Sequence, residues 1–225
     1  MPDATTLMPS PQQLNTMLSL QSAMNRKVDP DWVQAAYPYL RAVVVEAAEA
    51  IEHHGWKWWK KQSLDMAQLQ MEVIDIWHFI LSEILLRHQG NETLASTQLL
   101  EGAGTTDDND IAFDNQSYRL ASLTLLEKLE LLTALAAARR VEISVFASIM
   151  RDCGMNWDDL FAQYVSKNVL NFFRQDHGYK EGSYQKIWHG KEDNEHLVEV
   201  MTTLSATSDT YPTDLYQALL QRYPA

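Results

Sequence analysis

Apolar positions along this chain recur at intervals of three and four, and alternating patterns are scarce. That period marks helices buried along one face. Leu14, Met17, Leu18 and Met24 form such a stripe and predict a helix over 11–25. A second is expected over 30–54, opened by Asp29-Pro30-Asp31, where proline suits a first turn, and closed by Gly55. A third, over 64–89, turns Met71, Ile74, Trp77, Ile80 and Leu81 inward and ends at Gly90. Residues 91–117 hold the weakest pattern: GAGTTDDNDIAFDNQ is polar and turn-rich, and 101–117 reads as a mobile polar loop. Helical spacing returns over 118–151 as one or two helices, then over 156–174. An irregular stretch, QDHGYKEGSYQKIWHGKEDN, precedes two last helices at 193–204 and 212–223. The fold class is therefore all-α, a helical bundle in which helix packs on helix. The chain reads as one domain, 1–225, with 91–150 as a helical subdomain. The helix over 64–86 is apolar around much of its circumference and needs cover on more than one side. A second subunit is one source of that cover.

Composition narrows the function classes. Apolar residues make up 46% and charged residues 21%, so disorder is not the default. A formal charge of −12 argues against a nucleic-acid binder but leaves a nucleotide open as substrate. The single cysteine, Cys153, excludes an internal disulfide and a multi-cysteine zinc site. It lies in RDCGMNW, far from any histidine in sequence, and reads as a small buried residue rather than a nucleophile. The first residues lack the basic start and apolar run of a secretory signal. No stretch reaches the roughly 18 apolar residues of a membrane span. A soluble, cytoplasmic protein without a membrane partner is expected.

The chemistry concentrates at two places. In AVVVEAAEAIEHHGWKWWKK (42–61), Glu46 and Glu49 stand three apart and share a helix face. Glu72 and Asp75 repeat the spacing on the next helix, again among valines and isoleucines. Folded antiparallel, the two helices would bring four carboxylates together. Facing carboxylates repel, and a divalent cation resolves the repulsion; oxygen ligands of this kind suit Mg²⁺ or Mn²⁺. The bland alternative is two solvated acidic faces. Between the pairs, GWKWWKK is either a plain helix connection or a set of rings and lysines that balance charge and hold phosphate oxygens.

The second place is YVSKNVLNFFRQDHGYKEGSYQKIWHGKEDN, with Lys167, Arg174, Lys180 and Lys186 among tyrosines and turn glycines. It lacks the GxxxxGK[ST] phosphate loop. It reads either as a basic loop that closes over a polyphosphate or as an ordinary basic surface.

Taken together, these residues resemble the dimeric all-α dUTPases of the all-α NTP pyrophosphohydrolase superfamily. The resemblance lies in LSLQSAMN (18–25), EAAE (46–49), WKWWKK (56–61), EVIDIWHF (72–79) and KNVLNFFRQDHGYKEGSYQKIW with EDN (167–194), and covers roughly 14–88 and 157–200. It implies a four-helix metal-binding core, a homodimer, and Mg²⁺-dependent hydrolysis of dUTP, and of dUDP, to dUMP. It implies Glu46, Glu49, Glu72 and Asp75 as metal ligands, with Glu46 or Glu49 activating the water. Gln21 and Asn25 would meet the uracil, and His78 and Phe79 the deoxyribose. Lys60, Lys167, Arg174, Tyr184, Lys186 and Asn194 would hold phosphates. A related enzyme acting on another nucleotide such as dCTP, and a nucleotide- or metal-sensing protein, remain the alternatives.

Overall fold

The computed structural model describes residues 8–104, 110–204 and 210–224. It is built of α-helices with two small hairpins: α1 (Pro11–Val28), α2 (Trp32–Ala35), α3 (Tyr39–His54), α4 (Met66–Arg87), α5 (Glu92–Ala103), β1 (Asp110–Phe113), β2 (Gln116–Arg119), α6 (Leu125–Ala137), α7 (Ile143–Asp152), α8 (Trp157–Asp176), β3 (Ile187–Trp188), β4 (Lys191–Glu192), α9 (Asp193–Met201) and α10 (Tyr211–Arg222). The all-α class expected from the spacing holds.

Local chemistry fixes the helix starts. Ser10 Oγ accepts from the Gln13 N–H at 3.1 Å while Gln13 Oε1 accepts from the Ser10 N–H at 2.9 Å, a reciprocal cap ahead of Pro11. Thr124 and Asn156 cap α6 and α8 reciprocally as well, while Asp65 and Asn91 each accept one backbone N–H at the start of α4 and α5.

Three expectations need correction. The single helix over 30–54 is two, because Pro38 lacks an N–H and disfavours helical backbone at Tyr37. Ala36, at φ 50°, makes the corner. The weak stretch after Gly90 begins with a full helix, α5, whose Ala95, Leu99 and Ala103 are buried at i, i+4, i+8. Their small size hid the stripe. The polar loop expected at 101–117 contains the β1–β2 hairpin, turned by Asp114 and Asn115 at φ 49° and 59°. Ile111 anchors it in the core. Residues 105–109 of that loop lie outside the described ones.

Helix α4 is the axis of the fold. It packs most heavily against α3, and also touches α1, α5, α7 and α8. Leu69, Val73, Ile76, Trp77, Ile80, Leu81, Ile84 and Leu85 are all buried along it. Trp77 stacks on Phe146 at 4.7 Å, meets Trp157 edge-on at 5.5 Å, and donates its indole N–H to Met17 Sδ at 3.4 Å. Helix α1 lies against α8 and α5, and α6 lies against α3. After α8 the chain turns at Gly178, φ 85°, where any Cβ would fall 2.0 Å from Ser183 Oγ. The segment beyond it returns to α8 through an aromatic cluster of Phe173, His177, Tyr184, Trp188 and Tyr223.

Gly102 marks the tightest helix contact: an added Cβ would sit 2.6 Å from Ile143 Cβ, on the neighbouring α7. Alanine normally gains about 1 kcal/mol over glycine inside a helix. Here Gly102→Ala is expected to lower stability by about 1–3 kcal/mol, because overpacking outweighs propensity. The urea midpoint measures the outcome, and a raised midpoint would refute the packing argument.

Candidate active site

The seam between α3 and α4 carries the acidic pairs. Helical spacing puts Glu46 and Glu49 on one face of α3, and Glu72 and Asp75 on one face of α4. Carboxylate oxygens of Glu46, Glu72 and Asp75 lie within 4.8 Å of one another. Glu49 stands outside that tightest group and is exposed, yet its charge raises the pKa of both glutamates. Burial, then repulsion from Asp75, Glu72 and Glu49, pushes Glu46 up to about 8. Burial, then Asp75 and Glu49, push Glu72 up to about 7, with Lys167 and a hydrogen bond to Glu46 opposing. His53 Nε2 lies 3.5 Å from Glu72 Oε1. Three converging oxygen donors, two of them resisting ionisation through burial and mutual repulsion, fit a hard divalent cation.

A cavity of about 440 Å³ opens beside this cluster. Glu46, Asp75 and Lys167 line it, as do Gln21, Asn25, His78, Phe79 and Ser82. Lys167, on α8, is nearly buried and bonds Asp75 at 3.0 Å and Asn194 Oδ1 at 3.3 Å. The neutral residues form one network across three helices. His78 Nδ1 and the Tyr164 hydroxyl each lie 2.9 Å from Gln21 Oε1, and Gln21 Nε2 donates to Ser82 Oγ at 2.9 Å and to Asn25 Oδ1 at 3.1 Å. Burial lowers the His78 pKa to about 4, so the ring is neutral at physiological pH.

The expected phosphate-binding residues divide. Lys167, Arg174 and Asn194 gather where the C-terminal half of α8 meets the start of α9. Arg174 also lines the cavity, but its guanidinium is held by Asp193 through two bonds of 2.8 and 2.9 Å. Burial alone would raise the Asp193 pKa; Arg174 and the Tyr184 hydroxyl, which donates at 2.9 Å, hold it below the usual range. Tyr184 is thus occupied by Asp193 and stacked on Tyr223 at 5.5 Å. Lys186 is exposed and pairs with Glu192 at 3.2 Å. Lys60 is exposed on the α3–α4 connection beside Trp58 and Trp59, whose rings stand 87% and 59% exposed. Neither Lys60 nor Lys186 lines the cavity among the described residues. Cys153 is buried and its thiol is pushed to about 12, which leaves it inert, as its surroundings in sequence suggested.

Sequence reasoning missed Ser82, Tyr164 and Asp193. Ser82 stands one turn beyond His78, and that spacing was available as a signal. Tyr164 and Asp193 lie within the basic stretch already singled out, but their pairings reach other elements, which spacing along the chain does not show.

A protein-family model described as dUTPase matches residues 13–179. The match contains the carboxylates, the cavity's polar network, Lys167 and Arg174, and stops before Tyr184, Lys186 and Asn194. A comparison with curated proteins gives no match. No helix among the described residues is long and apolar enough to cross a membrane.

The raised glutamates give a stability prediction. The unfolded chain releases these protons near pH 4.5, whereas the folded protein keeps them until about 7 and 8. Metal-free stability should therefore fall as pH rises from about 4.5 to 8 and level off above. Calorimetry in EDTA should give a lower Tm at pH 8.5 than at pH 5.5, on the order of several degrees. Glu46→Gln should flatten this dependence, and saturating Mn²⁺ should raise Tm mainly at the higher pH, since it competes with protons. Equal pH dependence in the wild type and Glu46→Gln would refute the assignment.

Proposed function

The chain belongs to the dUTPase family, and from that premise we propose that it hydrolyses dUTP, and dUDP, at the α phosphate to give dUMP, using Mg²⁺ held by Glu46, Glu49, Glu72 and Asp75. The observation that carries this reading is the convergence of Glu46, Glu72 and Asp75 beside a cavity that Glu46 and Asp75 line together with the neutral polar residues Gln21, Asn25, His78 and Ser82. Carboxylates for a cation and neutral polar groups around one cavity suit a ligand that carries both phosphates and a base.

Bound Mg²⁺ would supply charge neutralisation and a more acidic coordinated water. The chain's own groups do the rest. Glu46, or Glu49 beside it, orients the attacking water and takes its proton. Lys167, Arg174 and Asn194 meet the phosphates, joined by Lys60, Tyr184 and Lys186 if the segment after Gly178 and the α3–α4 connection close over them. Phosphoryl transfer asks for positioning and electrostatics rather than covalent help. Phe79 packs by the deoxyribose and disfavours a ribose hydroxyl. Gln21, Asn25 and His78 form the base-selecting face. Hydrolysis there removes dUTP as a source of uracil in DNA and supplies dUMP for thymidylate. The working form in this reading is a cytoplasmic homodimer, which sedimentation velocity tests directly.

Pyrophosphate release from dUTP, dCTP, dTTP and UTP, with and without Mg²⁺, tests the proposal. Turnover of dUTP should depend on the metal and exceed that of the others. Glu46→Gln and Asp75→Asn should each lower kcat on the order of 10²-fold or more. Preferred turnover of dCTP would overturn the uracil reading and keep the metal site. Release that survives EDTA would overturn the metal site.

A further inference from the structure

The last helix, α10, lies beyond the residues matched by the family model, yet it holds the segment that follows Gly178. Leu215 and Leu219 seat it in the core. Two tyrosine hydroxyls tie it to α8: Tyr211 bonds Ser166 Oγ at 2.8 Å, and Tyr216 donates to Asp176 Oδ2 at 2.9 Å. Tyr223 caps its C-terminal end. The Tyr223 ring stacks on Tyr184, with 5.5 Å between centroids and 10° between planes. It meets Phe173 and Trp188 edge-on at 5.3 and 5.2 Å. The other rings around Tyr184, those of Tyr179, Trp188 and Phe173, stand farther off, at 5.9, 6.4 and 6.5 Å, and at steep angles. The Tyr223 hydroxyl oxygen accepts the Gln185 N–H at 3.1 Å, and the Gln185 carbonyl accepts the Trp188 indole N–H at 2.6 Å. The backbone beside Tyr184 is thus held from both sides.

We propose that Tyr223 is a positioning residue for the phosphate contacts of the site: its ring, acting through Tyr184 and Asp193, sets the place of the Arg174 guanidinium. The Tyr184 hydroxyl donates to Asp193 Oδ2, the same oxygen that takes Arg174 Nε, and Arg174 lines the cavity. Asp193 is fully buried, so no water competes for its lone pairs and its donors alone fix its orientation. Without the Tyr223 ring, Tyr184 loses its one close stacking partner and is free to swing its hydroxyl off Asp193. Asp193 then keeps Arg174 but loses the donor that aligns it, and the guanidinium shifts with it. The bond from Gln185 to Tyr223 holds the backbone and is not the part that reaches Arg174. Tyr211 and Tyr216 anchor α10 independently of Tyr223, so the helix stays docked when that ring is removed. The inference rests on the dUTP reading above, in which Arg174 meets the phosphates.

The test compares Tyr223→Leu, which removes the ring, with Tyr223→Phe, which keeps the ring and drops only the bond to Gln185. The first readout needs no substrate. In ¹H–¹⁵N spectra of the nucleotide-free protein, Arg174→Lys identifies the Arg174 Nε–H signal. It should be sharp in the wild type and in Tyr223→Phe, and lost to exchange with water in Tyr223→Leu. The second readout is kinetic, at saturating Mg²⁺. Tyr223→Leu should raise the KM for dUTP about fivefold or more and change kcat by less than about threefold. Deoxyuridine carries no phosphate, so its Ki as a competitive inhibitor should stay within about threefold in both variants. Tyr223→Phe should match the wild type throughout. If Tyr223→Leu folds poorly, Tyr184→Phe keeps the stack, removes only the donor to Asp193, and should lose the Arg174 signal likewise. The proposal fails if that signal survives in folded Tyr223→Leu or in Tyr184→Phe. It also fails if the KM for dUTP and the Ki for deoxyuridine rise together, which marks a general loosening, or if Tyr223→Phe is as impaired as Tyr223→Leu. A wild type that does not turn over dUTP sinks the earlier reading instead, and the Arg174 measurement stands apart from it.

Discussion

The structure depends on holding three carboxylates where they repel. With oxygens within 4.8 Å, each fully ionised pair among Glu46, Glu72 and Asp75 would cost roughly 3–4 kcal/mol at an effective dielectric of ~20. The fold withstands this because the α3–α4 seam is fixed by apolar burial on both sides of the acids. Helix α3 offers the small residues Ala47 and Ala50, which allow close approach, and α4 is buried along most of its circumference. The repulsion is partly relieved by protonation, which is why Glu46 and Glu72 hold protons so far above their ordinary range. A cation would relieve it more completely. Instability at this seam and affinity for metal are two readings of one electrostatic fact.

The positive charge near the site is already engaged. Lys167 serves Asp75, and Arg174 serves Asp193, which is fully buried. In a chain of net charge −12, a polyphosphate therefore meets little free cationic charge at the cavity wall. Metal and phosphate consequently depend on each other: the acids need the cation, and the phosphates need it too. The Arg174–Asp193 pair has a second effect. It ties α9, the first helix beyond the family match, to α8 and so to the site. Removing either partner would leave a buried charge alone, the costly case for such pairs.

The helical period exposed most of this in advance, and the reasons for its failures are specific. Large apolar stripes, as on α4, declared themselves. Helix α5 did not, because alanine and serine bury without looking apolar. The break at Pro38 was overlooked although its cause was written in the residue. The hairpin at Asp110–Arg119 carries its alternation in only four residues per strand, too few to stand out beside a polar run. At the site, spacing within one helix was legible: Glu46 with Glu49, Glu72 with Asp75, Gln21 with Asn25. Pairings between distant segments were not. The Arg174–Asp193 pair was hidden because Asp193 lies 19 residues away. Lys186 pairs with Glu192 at the surface.

The polar network in the core explains why these separate helices agree on one site. An apolar seam tolerates small rotations of one helix against another, but hydrogen bonds linking α1, α4 and α8 do not. Gln21 and Asn25 fix the face of α1, His78 and Ser82 that of α4, and Tyr164 that of α8. On α4, the neutral His78 lies one turn from the charged Asp75. On α8, the neutral Tyr164 lies one turn from the charged Lys167. One rotation of each helix therefore places both kinds of residue at once. The charged members meet at the carboxylate cluster through the Lys167–Asp75 bond, and the neutral members meet at Gln21. Both groups of lining residues follow from that register, so a substitution that loosened the neutral network would disturb the carboxylates without touching one.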